Sequence, residues 1–350
     1  PWIMDRLNVG LASFGMSGMV FHAPFLTTNP GFQLKKILER TSKGSKRIYP
    51  EVTVVNRYDD LVNDPKLDLI VVNTPDHTHF DLTRKALLAG KHVIVEKPFT
   101  ITTAEGSDLI ELARKKSLVL TVFQNRRWDG DFLTVSRVIK EGLVGQLVEF
   151  ESHFDRFRNY IQDGTWKEDP SRGTGNIYNL GSHMIDQALM LFGMPEGLYA
   201  DLEIRREGSE VNDYYDIHLY YNRFKTILKS SYLVREPGPR YLLHGTLGSF
   251  VKHGIDPQEE LLKSGEIPVG EDWGREDEHF WGILNSEIRG EPVRNRMETI
   301  PGNYHAFYDN LYEAIREGKE LAVKPEEALN VIRIIEGAIR SNRDKCMVKL

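Results

Sequence analysis

The apolar positions in the first third of the chain form short runs separated by stretches with helical spacing. Leu7 to Ala12, Phe32 to Leu38, Thr53 to Val55, Leu67 to Val72, Val93 to Val95 and Leu118 to Phe123 are such runs. The continuous apolar run at Val93 to Val95 predicts a strand buried on both faces, as in a parallel sheet, and Leu67 to Val72 is expected to be buried as well. Between the runs, Tyr58 to Val62 and Thr78 to Ala89 carry helical patterning, with Gly90 placed to close the second. Thr102 and Glu105 have the spacing of a capping box ahead of Leu109, Ile110, Leu112 and Ala113. A helical stretch also follows Ser17, and Pro24 is expected to end or bend it. Strands alternating with short helices need right-handed crossovers, so residues 1–124 are expected to form a doubly wound parallel sheet.

Beyond Asn125-Arg126-Arg127-Trp128 the pattern changes. Asp131 to Lys140 reads as a helix. Leu147 to Phe157, Tyr199 to Arg206, Tyr214 to Tyr221, Lys225 to Val234 and Tyr241 to Lys252 then alternate with period two. Alternation with short gaps predicts an antiparallel sheet with one face covered; the other is an oligomer surface or simply wet. Residues 254 to 300 are rich in Gly, Pro and charge and read as a long irregular excursion. Two amphipathic helices close the chain, one through Phe307, Leu311 and Ile315, the other through Leu329, Ile332 and Ile335 after Pro325. The expected second domain, residues 125–350, is therefore α+β with an open, mostly antiparallel sheet.

Composition narrows the function. The 350 residues are 40% hydrophobic and 27% charged, ordinary for a globular protein large enough for two cores. A net charge of −6 offers no case for nucleic acid or an anionic membrane. No apolar run approaches the ~20 residues that span a bilayer. The N-terminus lacks the ordered regions of an export signal, and Pro1-Trp2-Ile3 before Met4 reads as a cloning remnant. Cys346 is the sole cysteine, which excludes an internal disulfide and a cysteine-based zinc site. A cytoplasmic location is expected.

Candidate chemistry sits at the ends of the predicted strands. Ser13-Phe14-Gly15-Met16-Ser17-Gly18 nearly matches the glycine fingerprint of dinucleotide-binding folds, with Ser13 at the first glycine. Gly15 would let a pyrophosphate approach the backbone; the alternative is a tight strand-helix turn with no ligand. Glu39 falls about 20 residues on, where an acid usually holds the adenosine ribose. Arg40, Ser42, Lys43, Lys46 and Arg47 follow at once, and cations suit a ribose 2′-phosphate, so NADP is favoured over NAD. A solvated loop is the plainer account of those charges. Asp76-His77-x-His79-x-Asp81 has a metal-like look, but a helix cap at the ligand edge explains it better, and no metal is expected. Val95 runs into Glu96-Lys97-Pro98, which puts an acid and a lysine at a strand's carboxyl end. Asn179 and His183 lie four apart on a predicted helix, on one face, with Asp186 in reach to orient or charge the imidazole.

Gly15-x-x-Gly18, Asn73-Thr74-Pro75, Glu96-Lys97-Pro98 and Gly181-Ser182-His183-Met184-Ile185-Asp186 occur in an order that resembles the Gfo/Idh/MocA oxidoreductase family. The likeness covers nearly the whole chain, including the Gly245-Thr246-Leu247-Gly248 turn. The wording around Phe14, Asn125 to Trp128 and Tyr178 to His183 resembles its NADP-dependent scyllo-inositol dehydrogenase branch. The resemblance implies a nucleotide-binding Rossmann domain, a substrate and oligomerisation domain, and homodimers or homotetramers built through the C-terminal sheet. It implies hydride transfer between a polyol or sugar carbon and nicotinamide. By position, Lys97 matches the lysine that polarises the reacting hydroxyl and His183 the acid-base histidine. Asn179 stands where many members carry a catalytic aspartate, and an amide cannot accept a proton as a carboxylate does. Ser13, Phe14, Gly15, Gly18, Glu39, Arg40, Ser42, Asn73, Thr74, Pro75, His79, Glu96 and Lys97 are the expected cofactor contacts. Asn125, Arg126, Trp128 and Tyr178 are the expected substrate contacts. The family also contains dinucleotide-binding regulators without catalysis, and glycosidases that use bound NAD.

Overall fold

Short apolar strands alternate with helices from the start of the chain. The computed structural model describes residues 5–350; Pro1 to Met4, which include the Pro1-Trp2-Ile3 stretch read above as a remnant, lie outside the described residues. Strands β1 (Leu7–Leu11), β2 (Phe32–Leu38), β3 (Thr53–Val55), β4 (Leu69–Val72), β5 (His92–Val95) and β6 (Leu120–Val122) form one sheet in the order 3-2-1-4-5-6. Every pairing in it is parallel. Helices α1 (Ala23–Thr28), α2 (Ser45–Ile48), α3 (Asp59–Val62), α4 (His79–Leu88) and α5 (Thr103–Lys116) link the strands. All four residues of β4 are buried, as expected for a strand covered on both faces. Gly90 has φ +78 after α4, the left-handed position its sequence signal indicated. The capping box at α5 is formed in both directions between Thr102 and Glu105.

Pro24 does not end its helix. The chain widens into a π-helical turn over Gly18–His22, and Pro24 sits at the start of α1. A proline cannot make the usual backbone bond one turn back, and a wider turn accommodates the missing donor.

The chain divides into two compact units. The first runs to Asn125 and includes Gln258–Trp273 and Asn303–Leu329; the second comprises Arg126–Pro257, Gly274–Gly302 and Asn330–Leu350. The end of βα alternation near Gln124 therefore marks the first unit's sheet, while later segments return to the same unit. The second unit opens with α6 (Gly130–Lys140), β7 (Leu147–His153) and α7 (Asn176–Phe192). It continues with β8 (Gly197–Glu203), β9 (Tyr214–Tyr220), β10 (Lys225–Ser231), β11 (Tyr241–Gly245) and β12 (Gly248–Lys252). α8 (Gln258–Lys263) belongs to the first unit, and β13 (Gly282–Ile288) and β14 (Glu291–Met297) to the second. α9 (His305–Glu317), α10 (Pro325–Asp344) and β15 (Val348–Lys349) end the chain.

The second sheet has the order 14-13-12-11-7-10-9-8-15 and is antiparallel except where β7 meets β10. Two expectations are corrected here. Tyr241 to Lys252 is not one strand but a hairpin: β11 and β12 pair antiparallel about the Gly245-Thr246-Leu247-Gly248 turn, where Gly245 and Gly248 lie too close to neighbouring backbone for a side chain. Residues 254 to 300 are not irregular throughout: β13 and β14 pair over seven residues each, with Arg289 and Gly290 at positive φ in the turn. High charge on β14, an edge strand, hid the alternation. Among the described residues, no helix is long and apolar enough to cross a membrane.

Candidate active site

The strand order reverses between β1 and β4, and the crevice at the carboxyl ends of such neighbours is where doubly wound sheets take ligands. Ser13, Phe14 and Gly15 follow β1; Asn73, Thr74 and Pro75 follow β4. A Cβ on Gly18 would lie 2.4 Å from the Ser13 carbonyl oxygen, so the tight turn requires glycine there. That turn lets Asn73 Nδ2 donate to Ser13 O at 2.9 Å and to Ser17 Oγ at 3.2 Å. Asn73 Oδ1 is buried with no hydrogen-bond partner. Gly15 has open space, with only Ser13 Oγ at 3.7 Å from an added Cβ. Ser13 departs from the glycine fingerprint usefully: its hydroxyl accepts the Gly15 N–H at 3.3 Å. An open glycine for close phosphate approach and an orphaned acceptor beside it fit a dinucleotide.

The end of β5 is held from two sides within the first unit. Glu96 Oε1 lies 2.7 Å from Nε2 of the fully buried His22, whose Nδ1 is 3.1 Å from the Tyr308 hydroxyl. The Tyr308 hydroxyl donates to Phe21 O at 2.6 Å. Glu96 Oε2 accepts the Lys97 N–H at 3.2 Å. Burial pushes the Glu96 carboxyl up, but the His22 hydrogen bond and the charges of His22, Lys97 and His79 outweigh it and hold it below the ordinary range. His79, fully buried, has Nδ1 2.7 Å from Pro98 O and Nε2 2.9 Å from Thr74 O, tying the ends of β4 and β5 together. Lys97 itself is half-buried, and the Lys97–Pro98 peptide bond is cis. His22 and Tyr308 were not among the expected residues. No local signal marks them, because Tyr308 arrives from α9, far along the chain.

The end of β2 turns back on itself. Glu39 Oε1 accepts from Ser42 Oγ at 2.8 Å and from the Gly44 N–H at 3.1 Å. Its Oε2 accepts from Ser45 Oγ at 2.5 Å and the Ser45 N–H at 3.2 Å. Burial raises the Glu39 carboxyl, and these four donors together lower it further than burial lifts it. Arg40, Ser42 and Lys43 remain exposed.

In the second unit α7 carries Tyr178, Asn179 and His183. Gly175, at φ +108, starts the helix, and Asn212 completes it: its Oδ1 takes the Ile177 N–H at 2.9 Å and its carbonyl the Asn176 N–H at 2.8 Å. Asn179 Nδ2 donates to the Tyr232 hydroxyl at 3.3 Å. His183 and Tyr178 are buried. Asp186, expected to serve the imidazole, is gripped by Arg127 through Nε at 2.8 Å and Nη2 at 2.7 Å, a forked pair with both partners buried. Arg126 lies on a short turn with Trp128 and pairs with Asp129 at 3.1 Å. Asn125, the last residue of the first unit's opening segment, is buried. Among the described residues no cluster of three or more His, Cys, Asp or Glu is placed to hold a metal ion.

Comparison with known proteins accords with this architecture. Residues 7–124 match the oxidoreductase family model for an NAD-binding Rossmann fold. Residues 137–350 match that family's C-terminal alpha/beta domain. The chain is 40% identical over 350 residues to scyllo-inositol 2-dehydrogenase (NADP(+)) IolW of Bacillus subtilis, covering 99% of this chain and 97% of the relative. It is 41% identical to the uncharacterized oxidoreductase YdgJ of Escherichia coli, covering 99% of each. A crystal structure of an oxidoreductase from Bacillus cereus superposes with a TM-score of 0.90 at 36% identity, covering 99% of each chain. With a parallel 3-2-1-4-5-6 sheet, a glycine crevice at its switch point and both family domains in order, the chain belongs to the Gfo/Idh/MocA family of oxidoreductases.

Proposed function

We propose that this protein is an NADP-dependent dehydrogenase acting on a CH–OH carbon of an inositol-like polyol or a sugar. The observation that carries the reading is the half-buried Lys97 at the carboxyl end of β5, braced through Glu96 and Pro98 in the same unit as the glycine crevice. The full-length likeness to an NADP-dependent inositol dehydrogenase supports the choice of substrate class and cofactor. Ser13, Gly15, Gly18 and Asn73 would hold the dinucleotide, whose nicotinamide supplies the hydride acceptor. Lys97 hydrogen-bonds the reacting hydroxyl and favours its alkoxide character. His183 takes the hydroxyl proton as general base, and Asn179, an amide, binds substrate rather than relaying a proton. Asn125, Arg126, Trp128 and Tyr178 orient the polyol. The protein works in the cytoplasm as a homodimer or homotetramer.

The test is a screen of inositols, aldoses and sugar acids against NADP and NAD, read as absorbance of the reduced cofactor. Turnover on at least one polyol with NADP is expected. Lys97→Ala should lower kcat by about 10²-fold or more while NADPH still binds. Full turnover in that variant would remove Lys97 from its role. Binding of NADPH with no turnover on any polyol would instead favour a regulator.

A further inference from the structure

We infer that Glu39 does not read the cofactor's ribose but is a positioning residue, which folds the loop after β2 so that the nucleotide meets Arg40 and Lys43 instead of an acid. The inference rests on the dinucleotide reading of the glycine crevice and deepens it by naming what sets the choice between NADP and NAD.

The acid that follows the second strand of a dinucleotide-binding fold usually accepts both ribose hydroxyls. Here the corresponding carboxylate is already occupied. Four donors from Ser42, Gly44 and Ser45 converge on its two oxygens at 2.5 to 3.2 Å. Glu39 is buried, and Ser45 is wholly so. The Glu39 N–H is fixed as well, donating to Val55 O at 3.0 Å on the neighbouring strand. A diol could bind this carboxylate only by displacing hydrogen bonds that close the loop. Between Glu39 and Gly44 the side chains left exposed are Arg40, Thr41, Ser42 and Lys43, two of them cations, while Lys46 and Arg47, also exposed, lie beyond the loop on α2. The Ser42 hydroxyl gives its proton to Glu39, so toward a phosphate it offers no hydrogen. Binding of a 2′-phosphate therefore falls to the guanidinium of Arg40 and the ammonium of Lys43.

The loop is also placed against the glycine turn. Tyr49, just after α2, meets the Phe14 ring edge-on at a centroid distance of 6.2 Å. The pyrophosphate turn and the ribose loop thus share one edge of the first unit. Preorganising a cationic loop lowers the ordering cost when an anion binds. Breaking the staple should weaken NADPH more than NADH, because NADH has no 2′-phosphate to use the loop. Ser45 is the clean place to break it: it is too buried to touch a cofactor, and its loss leaves every charge in place.

The experiment is fluorescence titration of the full chain and two variants with NADPH and NADH. Ser45→Ala should lower the NADPH-to-NADH affinity ratio by about tenfold, since the loop loosens and the released carboxylate turns toward the ribose. Glu39→Gln should leave NADH affinity within about twofold, because the carboxylate makes no ribose contact. An unchanged ratio in Ser45→Ala overturns the positioning role. A tenfold or greater loss of NADH affinity in Glu39→Gln overturns it from the other side, by restoring Glu39 as a ribose ligand. Each arm decides without the other, should one variant fail to fold. If the unaltered protein binds neither dinucleotide, the proposed function falls and this inference with it. Failure in the variants alone leaves the function standing.

Discussion

Glu39 and Glu96 show how far a residue's role depends on what reaches it. Both stand at strand ends of the first unit, and both carboxylates meet hydrogen-bonding groups of that same unit. Both are held below their ordinary value of 4.5, since hydrogen bonds outweigh burial. A carboxyl lowered in the folded state contributes stability above its unfolded value and loses it as pH falls through the folded one. The fold should therefore lose stability progressively below about pH 4.5 from these two groups. Thermal melts from pH 7 down to pH 3 check this, with Glu39→Gln expected to show a shallower acid decline. An equally steep decline in the variant would show that its carboxylate is not so held. His79 carries a related lesson. Its spacing with His77 looked like a metal pair, yet its two nitrogens face Pro98 O and Thr74 O.

At the scale of elements, the glycine turn is the tightest constraint. Gly18 packs under the Ser13 carbonyl, and the contact is with backbone, which cannot swing aside. Gly18→Ala should cost about 1–3 kcal/mol through backbone displacement and loosen the Asn73 bridge, lowering both melting temperature and NADPH affinity. Unchanged melting and affinity would mean the turn yields more easily than its geometry implies. Helices α4 and α5 were readable because their signals are local: a Gly at C′ and a Thr–Glu box. The start of α7 was not, since its backbone donors are met by Asn212 from beyond β8. The β13–β14 hairpin was missed because an edge strand rich in charge lacks the alternation that marks a half-buried one.

For the whole molecule, one face of the second sheet packs under α7 and the other carries half-exposed side chains on β9 and β10. On that half-exposed side His153 meets Glu151 at 2.6 Å, and Asp216 meets His218 at 3.1 Å and Lys229 at 3.6 Å. Ile227 lies in the same alternating set, half-exposed between buried Thr226 and Leu228. We propose that copies of the chain pair through this face. Light scattering should give the unaltered protein a mass of two or four chains and Ile227→Lys a smaller assembly. A single-chain mass for the unaltered protein would end the proposal. The first unit also depends on distant sequence: Tyr308 of α9 stacks on Phe25 at 5.3 Å and touches His22, and Asp309 accepts from Asn29 at 2.7 Å.

By itself the sequence determined the parallel sheet, the extent of α4 and the start of α5, the switch from βα units to an alternating sheet, and the positions of the glycine turn, Lys97 and His183. These follow from periodicity, glycine and proline placement, and short motifs, all of which act within a few residues along the chain. Tertiary structure alone decided which partners the polar groups found. His22 on Glu96, Arg127 on Asp186 and Asn212 on α7 join residues far apart in sequence, and no local pattern encodes such pairs. Even Glu39, whose partners lie only a few residues on, needed the loop's folded path to show that its carboxylate turns inward. The reason is physical: a buried charge or backbone donor must be met by something, and what meets it depends on how the whole chain packs.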